Sequence, residues 1–396
     1  MFLKTAALVL LSSLAIRADN TPNLCSDDIT NLQRIAPSET GVTNISNITV
    51  GGESYSGDAD HFVMIPNDNM VDKVMVYIPG TTDRPELSSC LLKSVSETLD
   101  YPTIGISYAY LSSGDKFRNG KCASLPNIDE QVECLDEQHV DAIDGGDYGA
   151  THFKDDGSAF WVEIPPENAL TARLGKLLEY LDEKNPGMGW NNLYSSKGEP
   201  KWSRIAFMGH SQGAGHVAYL GKTRKILGGV MISGPQDECI DCPADTKTWI
   251  DEPFMTRNAY TAFASGDEPL YNLQTENWGR MTTAGAVNWG EPTSIDFGLD
   301  PVNACDPLFT NVKFGNTSTC GGKEHCSTAI DDSIPFLEKT DGEKFYLYEK
   351  HVWPSITTQY SSEACGKKES AKKGAKKASK SPKSVRGKRS LHPKGF

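Results

Sequence analysis

With 396 residues, 38% of them hydrophobic and 23% charged, the chain has the make-up of a folded soluble protein, long enough for one large α/β domain or two small ones. No segment repeats another, which excludes solenoids and propellers. The net charge of −13 hides a division: residues 366–396 hold ten Lys and two Arg against one Glu, a net +11, so residues 1–365 carry −24.

Met1 to Lys4 form a short basic start, residues 5–16 (TAALVLLSSLAI) are mostly apolar, and Ala18 offers a small residue for cleavage. This is the pattern of a signal peptide over residues 1–18, too short for the roughly 20 apolar residues that span a bilayer. No second run of that kind follows, so no integral membrane span is expected. The protein is read as secreted or in the secretory pathway, with a body over 19–365 and a tail over 366–396. Ten cysteines agree with export, where an even count favours disulfides. Cys122 and Cys134 flank an acidic loop, Cys239 and Cys242 form a CxxC, and Cys305, Cys320 and Cys326 cluster late in the body. Cys25, Cys90 and Cys365 complete the set, and connectivity is not legible in one sequence. Sequons at Asn44, Asn47 and Asn316 fit a secreted glycoprotein.

Along the body, apolar strands alternate with helical stretches, the mark of a mostly parallel sheet covered by helices on both faces. Residues 74–78 (VMVYI), closed by Pro79-Gly80, and 103–108 (TIGISY) read as strands, and Leu91, Leu92 and Val95 predict a crossover helix between them. Residues 111–164 are long, polar and acidic, and read as a cap-like insertion after an early strand rather than a core element. After Pro165-Pro166, the stripe Leu170, Leu174, Leu177, Leu178, Leu181 predicts an amphipathic helix stopped by Pro186-Gly187. Strands follow at 205–208, 229–232 and 260–264, then a loop-rich stretch, then a last helix over 345–353. Beyond Cys365 the Lys, Ala, Ser and Gly residues show no apolar period and predict disorder.

Gly209-His210-Ser211-Gln212-Gly213 follows an apolar strand and opens a helix. Small residues on both sides of a serine let the backbone make a sharp strand-to-helix turn with Oγ projecting from the sheet edge. Ser211 is therefore the candidate nucleophile. It needs a base, and the base an orienting carboxylate, in the chain order Ser, acid, His on such a sheet. Asp267 directly follows strand 260–264 and is the preferred acid, with Asp237 at the end of the preceding strand as the alternative. His325, in the cysteine-pinned loop 320–326, is the preferred base. His351, in the last helix beside Val352 and Trp353, is the alternative, though a packed or capping histidine is its plainer reading. The oxyanion hole should combine the N–H of Gln212 with one from Gly80, Thr81 or Thr82.

The segment 168–222 carries a resemblance in its amphipathic helix, Gly189-Trp190, Trp202-Ser203 and Gly209-His210-Ser211-Gln212-Gly213-Ala214-Gly215. It resembles the α/β-hydrolase superfamily, and more narrowly an esterase-like branch of bacteria, plants and algae. The likeness runs more loosely from about residue 70 to 355. It implies the α/β-hydrolase fold and the Ser–Asp–His assignment, and no particular substrate.

The function expected is hydrolysis of carboxylic esters, from small molecules to lipids or polymers, through an acyl-enzyme. Two alternatives use the same residues: a binding protein with an idle triad, and an amidase or peptidase. No cofactor or metal is expected. The chain has no phosphate-cradling glycine loop, and export favours disulfides over a zinc site built from Cys239, Cys242, Cys320, His325 and Cys326. Asp141, Asp144 and Asp147 lack EF-hand spacing and read as solvated. The basic tail suggests a polyanionic partner, against the plainer reading of a solvated arm.

Overall fold

The computed structural model describes residues 15–17, 31–42, 46–50, 53–56, 59–66, 70–81, 83–108, 122–123, 125–146, 164–240, 242–295, 305–312, 323–338 and 344–360. Thr82, the tail, most of the signal-peptide segment, Cys25, Cys320, Cys365, Asn44 and Asn316 lie outside the described residues.

The strands are β1 (Ala15–Arg17), β2 (Leu32–Ile35), β3 (Ser46–Val50), β4 (Glu53–Ser56), β5 (His61–Met64), β6 (Val74–Ile78) and β7 (Thr103–Gly105), followed by β8 (Ile205–His210), β9 (Gly228–Ile232), β10 (Tyr260–Ser265), β11 (Thr293–Ser294), β12 (Leu308–Thr310), β13 (Phe336–Glu338) and β14 (Lys344–Tyr346). Nine of them form the central sheet in the order β11-β12-β10-β9-β8-β6-β7-β5-β2. Pairs from β11 to β7 are parallel, and only β5 and β2 enter antiparallel. A three-stranded sheet joins β1, β13 and β14, and β3 pairs with β4.

The central strands β6, β8, β9 and β10 are buried along their whole length, which is why they read as nearly unbroken apolar runs. Along β6 the period-2 alternation sends Val74, Val76 and Ile78 into one core and Met75 and Tyr77 into the other. The first core takes helices α2 (Ile128–Asp144), α3 (Leu170–Lys184) and α4 (Gln212–Thr223). The second takes α1 (Ser89–Leu99) and α7 (Val352–Thr358). Helix α5 (Tyr271–Thr283) follows β10, and the single turn α6 is Lys323–Cys326. The five leucines of the α3 stripe are each fully buried, so truncating any one to Ala costs about 2–5 kcal/mol. Together these features make the α/β-hydrolase fold: a mostly parallel sheet, helices on both faces, and a serine on the turn between a central strand and its helix.

Two elements differ from the sequence reading. The 111–164 stretch contains α2, a 17-residue helix whose Cys134, Leu135, Ala142 and Ile143 join the first core. Its buried stripe also includes Gln138, His139 and Asp141, which dilutes the apolar period and gives it the look of a loop. The 345–353 stretch is not one helix: β14 ends at Tyr346, and α7 begins only at Val352. Among the described residues no helix is long and apolar enough to cross a membrane.

Candidate active site

Strand β8 ends at His210, and α4 begins at Gln212. Between them Ser211 has φ 56° and ψ −119°, a backbone state costly for a residue with a Cβ. The turn is held by the Ser211 N–H to Ile232 O at 2.9 Å and by Ala214 N–H to Ser211 O at 3.0 Å. Its tightness explains the glycines. A Cβ on Gly213 would lie 2.0 Å from the carbonyl oxygen of Ile78, and one on Gly209 would lie 2.3 Å from Gly213 O. The helix start leaves the N–H of Gln212 without an intrahelical acceptor.

The loop after β6 lies against this turn. A Cβ on Gly80 would stand 3.0 Å from Ser211 Cβ and 3.2 Å from His210 Nδ1. Thr81 Oγ1 donates to Gln212 Oε1 at 2.7 Å, and Tyr108 donates its hydroxyl to Pro79 O at 2.9 Å. The structure thus brings Gly80, Thr81, Ser211 and Gln212 together.

His325 sits in α6, over the ends of β8 and β9. Its carbonyl accepts from His210 Nε2 at 2.9 Å and from Ser233 Oγ at 3.3 Å. Its ring packs on the His210 ring with centroids 4.8 Å apart. Cys326 lies in a disulfide, and Thr328 accepts at its carbonyl from Trp353 Nε1 at 3.2 Å. The base candidate is therefore fastened by its own backbone to the residue preceding Ser211. Among the described residues no hydrogen bond joins Ser211 Oγ to the ring, a slack common in an unliganded site.

The carboxylate on His325 is not the one expected from sequence. His325 Nδ1 hydrogen-bonds Glu268 Oε2, whose side chain is 0% exposed, whereas Asp267 is exposed. The turn Ser265-Gly266-Asp267-Glu268 closes with Glu268 N–H on Ser265 O at 3.4 Å, and it folds the longer side chain inward. With Nδ1–H committed to a carboxylate, Nε2 keeps the lone pair that a general base needs. Asp237 is buried but serves another ring: its Oδ1 is 2.8 Å from His139 Nε2. His351 stands at the N-cap of α7, half-buried.

Burial tunes two neighbours. It lowers the His210 pKa to about 3, with the nearby His325 adding to the effect, so His210 stays neutral and donates through Nε2. Asp83, whose N–H bonds Gly80 O at 3.1 Å, has its carboxyl raised to about 7 by burial, and its Oδ2 lies 3.9 Å from His210 Nδ1. Sequence reading missed Glu268, Asp83 and the His210–His325 contact. For Glu268 one signal was present, a second carboxyl directly after the preferred one.

The acidic residues considered for calcium are engaged structurally. Asp141 Oδ1 accepts Ile164 N–H at 3.1 Å, Asp144 pairs with Arg224, and Asp147 lies outside the described residues. Cys239 and Cys242 are bonded to each other, and among the described residues no His, Cys, Asp and Glu cluster is arranged to hold a metal.

No protein-family model matches the chain, and no curated protein sequence is significantly similar to it. Solved structures that resemble it include an esterase of the hyperthermophilic archaeon Pyrobaculum calidifontis (12% identity, 79% of this chain and 80% of that one, TM-score 0.35). Another is a thermostable carboxylesterase cloned from a metagenomic library (9% identity, 78% and 85%, TM-score 0.34). A third is carboxyl esterase 2 of the mycorrhizal fungus Tuber melanosporum (9% identity, 85% and 89%, TM-score 0.38). At such identities and TM-scores these likenesses carry no information about chemistry, which rests on the chain's own residues.

Proposed function

We propose that this chain, an α/β-hydrolase in fold, is a serine hydrolase that cleaves carboxylic esters through an acyl-enzyme. Ser211 Oγ attacks the ester carbonyl while His325 Nε2 takes its proton. Glu268, in place of the Asp267 expected from sequence, holds the imidazole in the required tautomer and stabilises the imidazolium. The tetrahedral oxyanion is met by the N–H of Gln212 and by an N–H from Gly80 or Thr81. His325 then protonates the leaving alcohol, and water reverses the sequence to release the acid.

One observation carries this reading: a serine at φ 56° between strand and helix, beside a histidine whose Nδ1 is on a buried carboxylate and whose carbonyl is pinned to the residue before that serine. Strain at Ser211 persists because the turn over-determines it, and such strain collects at functional positions. The test is labelling by a fluorophosphonate together with turnover of p-nitrophenyl esters of graded chain length. Ser211→Ala is expected to abolish labelling and to lower kcat on the order of 10³-fold or more with the fold intact. Unchanged turnover would place the nucleophile elsewhere.

The protein is further read as secreted. Its disulfides, Cys122–Cys134 and Cys239–Cys242 among them, are compatible with export. The +11 tail is read as a tether for a polyanion, acting apart from catalysis.

A further inference from the structure

Behind the nucleophile turn lies a set of buried polar side chains that the triad does not use. Thr81 Oγ1 donates to Gln212 Oε1 at 2.7 Å, and Gln212 Nε2 is 3.0 Å from His216 Nε2. His216 Nδ1 is 2.9 Å from His139 Nδ1, and His139 Nε2 is 2.8 Å from Asp237 Oδ1. Gln212, His216, His139 and Asp237 are each at most 1% exposed. The four contacts run unbroken from the loop after β6, through α4 and α2, to the loop after β9.

From the geometry of these contacts we infer that Thr81, Gln212, His216, His139 and Asp237 form one polarised hydrogen-bond chain that fixes the spacing of the oxyanion-hole donors, with His139 and Asp237 as remote positioning residues. This inference rests on the hydrolase reading of Ser211 given above.

The polarity follows from the carboxylate end. An ionised Asp237 only accepts, so His139 Nε2 carries the proton. A neutral imidazole has one N–H, which leaves His139 Nδ1 as an acceptor and requires His216 Nδ1 to donate. His216 Nε2 must then accept, so Gln212 presents its amide NH₂ to it. The amide oxygen is left facing Thr81, whose hydroxyl donates. With Asp237 ionised and both imidazoles neutral each link has a single direction, and it requires Gln212 to turn Oε1 to Thr81 and Nε2 to His216, the contacts at 2.7 and 3.0 Å. The two histidines are therefore in opposite tautomers.

The surroundings hold the chain in place. His139 stacks on Tyr219 with centroids 4.9 Å apart and meets Trp249 edge-on, while His216 meets Tyr108 edge-on. A Cβ on Gly215 would come within 3.1 Å of His139 Cε1 and 3.2 Å of Asp237 Oδ2, so the glycine lets α4 approach both. Asn277 Nδ2 donates to Asp237 O at 3.0 Å, and Trp278 Nε1 donates to Gly234 O at 2.9 Å, anchoring the far end on α5. At the near end, Thr81 and Gln212 flank the two oxyanion donors. Fixing one side chain on the other fixes those donors relative to Ser211, where an error of about 1 Å can cost 10²-fold in rate.

The test uses full-length protein labelled with ¹⁵N-histidine, the two ring systems being assigned by His→Gln variants. At pH 8, His216 should be protonated on Nδ1 alone and His139 on Nε2 alone. Like tautomers in both, or a doubly protonated ring in either, would overturn the inference. In parallel, Thr81→Val removes the terminal donor at nearly constant shape and should lower kcat at least tenfold with KM within about twofold. Asp237→Leu should show the same kcat–KM split, and Asp237→Asn, which keeps an acceptor for His139, should recover most of the loss. Equal kcat in Thr81→Val and the parent would show that the chain does not position the donors. The two readings fail separately. An active Ser211→Ala protein would defeat the hydrolase reading and leave the tautomers standing, whereas like tautomers would defeat the chain and leave Ser211 in place.

Discussion

Glu268 and Asp267 are adjacent carboxyls, one buried against His325 and one exposed, and exchanging each for its amide separates their roles. In Glu268→Gln the side chain keeps its volume and loses its charge. An amide beside Nδ1 either offers N–H to N–H or selects the tautomer whose Nε2 carries a proton and cannot act as a base. It also leaves the imidazolium of the transition state without a counter-charge in a position fully shielded from water. Loss of the orienting carboxylate in serine triads costs about 10⁴-fold in kcat, or roughly 5 kcal/mol at 1.36 kcal/mol per tenfold. Glu268→Asp draws the carboxylate back by about one C–C bond, some 1.5 Å, and should fall between, near 10²-fold. Asp267→Asn should stay within about twofold, because the group is exposed and surface changes are nearly neutral. The assay is kcat on a short p-nitrophenyl ester over pH 6–9, with thermal unfolding of each variant alongside. A larger loss from Asp267→Asn than from Glu268→Gln would refute the reasoning.

His325→Ala should match the Ser211→Ala loss in kcat, because nucleophile and base act as one unit, whereas His351→Ala at the α7 N-cap should lower the melting temperature with little effect on rate; reversed effects would move the base. Asp83 binds its proton more tightly folded, at about 7, than unfolded, at 3.8, so this group makes stability fall as pH rises from about 4 to 7. Asp83→Asn should therefore gain stability over the parent in urea unfolding at pH 8, by up to about 4 kcal/mol, with much less gain at pH 4; equal gains at both pH values would contradict this. Removing residues 366–396 should leave kcat on a neutral ester unchanged and sharply weaken retention on a polyanionic matrix, and equal retention would show that the tail is not the tether.

The parts of the fold governed by local periodicity were legible in the sequence. The strand 74–78 matches β6, and the α3 leucines form the stripe that their spacing predicts. The glycines of GHSQG mark the strand-to-helix turn because the backbones there approach too closely for a Cβ. Failures came where partners lie far apart in the chain. Choosing between residues 267 and 268 depends on which way a four-residue turn tips its side chains, and periodicity does not encode that. Helix α2 was hidden because its inward face spends His139 and Asp141 on hydrogen bonds to distant elements, so its pattern looks polar. The His210 ring lies under His325, a contact 115 residues apart in the chain that no local pattern announces.

That contact bears on how this molecule tolerates change. The carbonyl of His325 is held by His210 and Ser233, residues at the ends of neighbouring parallel strands. Strand spacing in a sheet is nearly constant, about 4.8 Å. The separation between nucleophile and base is thus inherited from the sheet rather than from the length of chain leading up to His325. Changes that leave the β8–β9 pairing intact should therefore leave that separation unaltered, as pegs set in one board keep their distance.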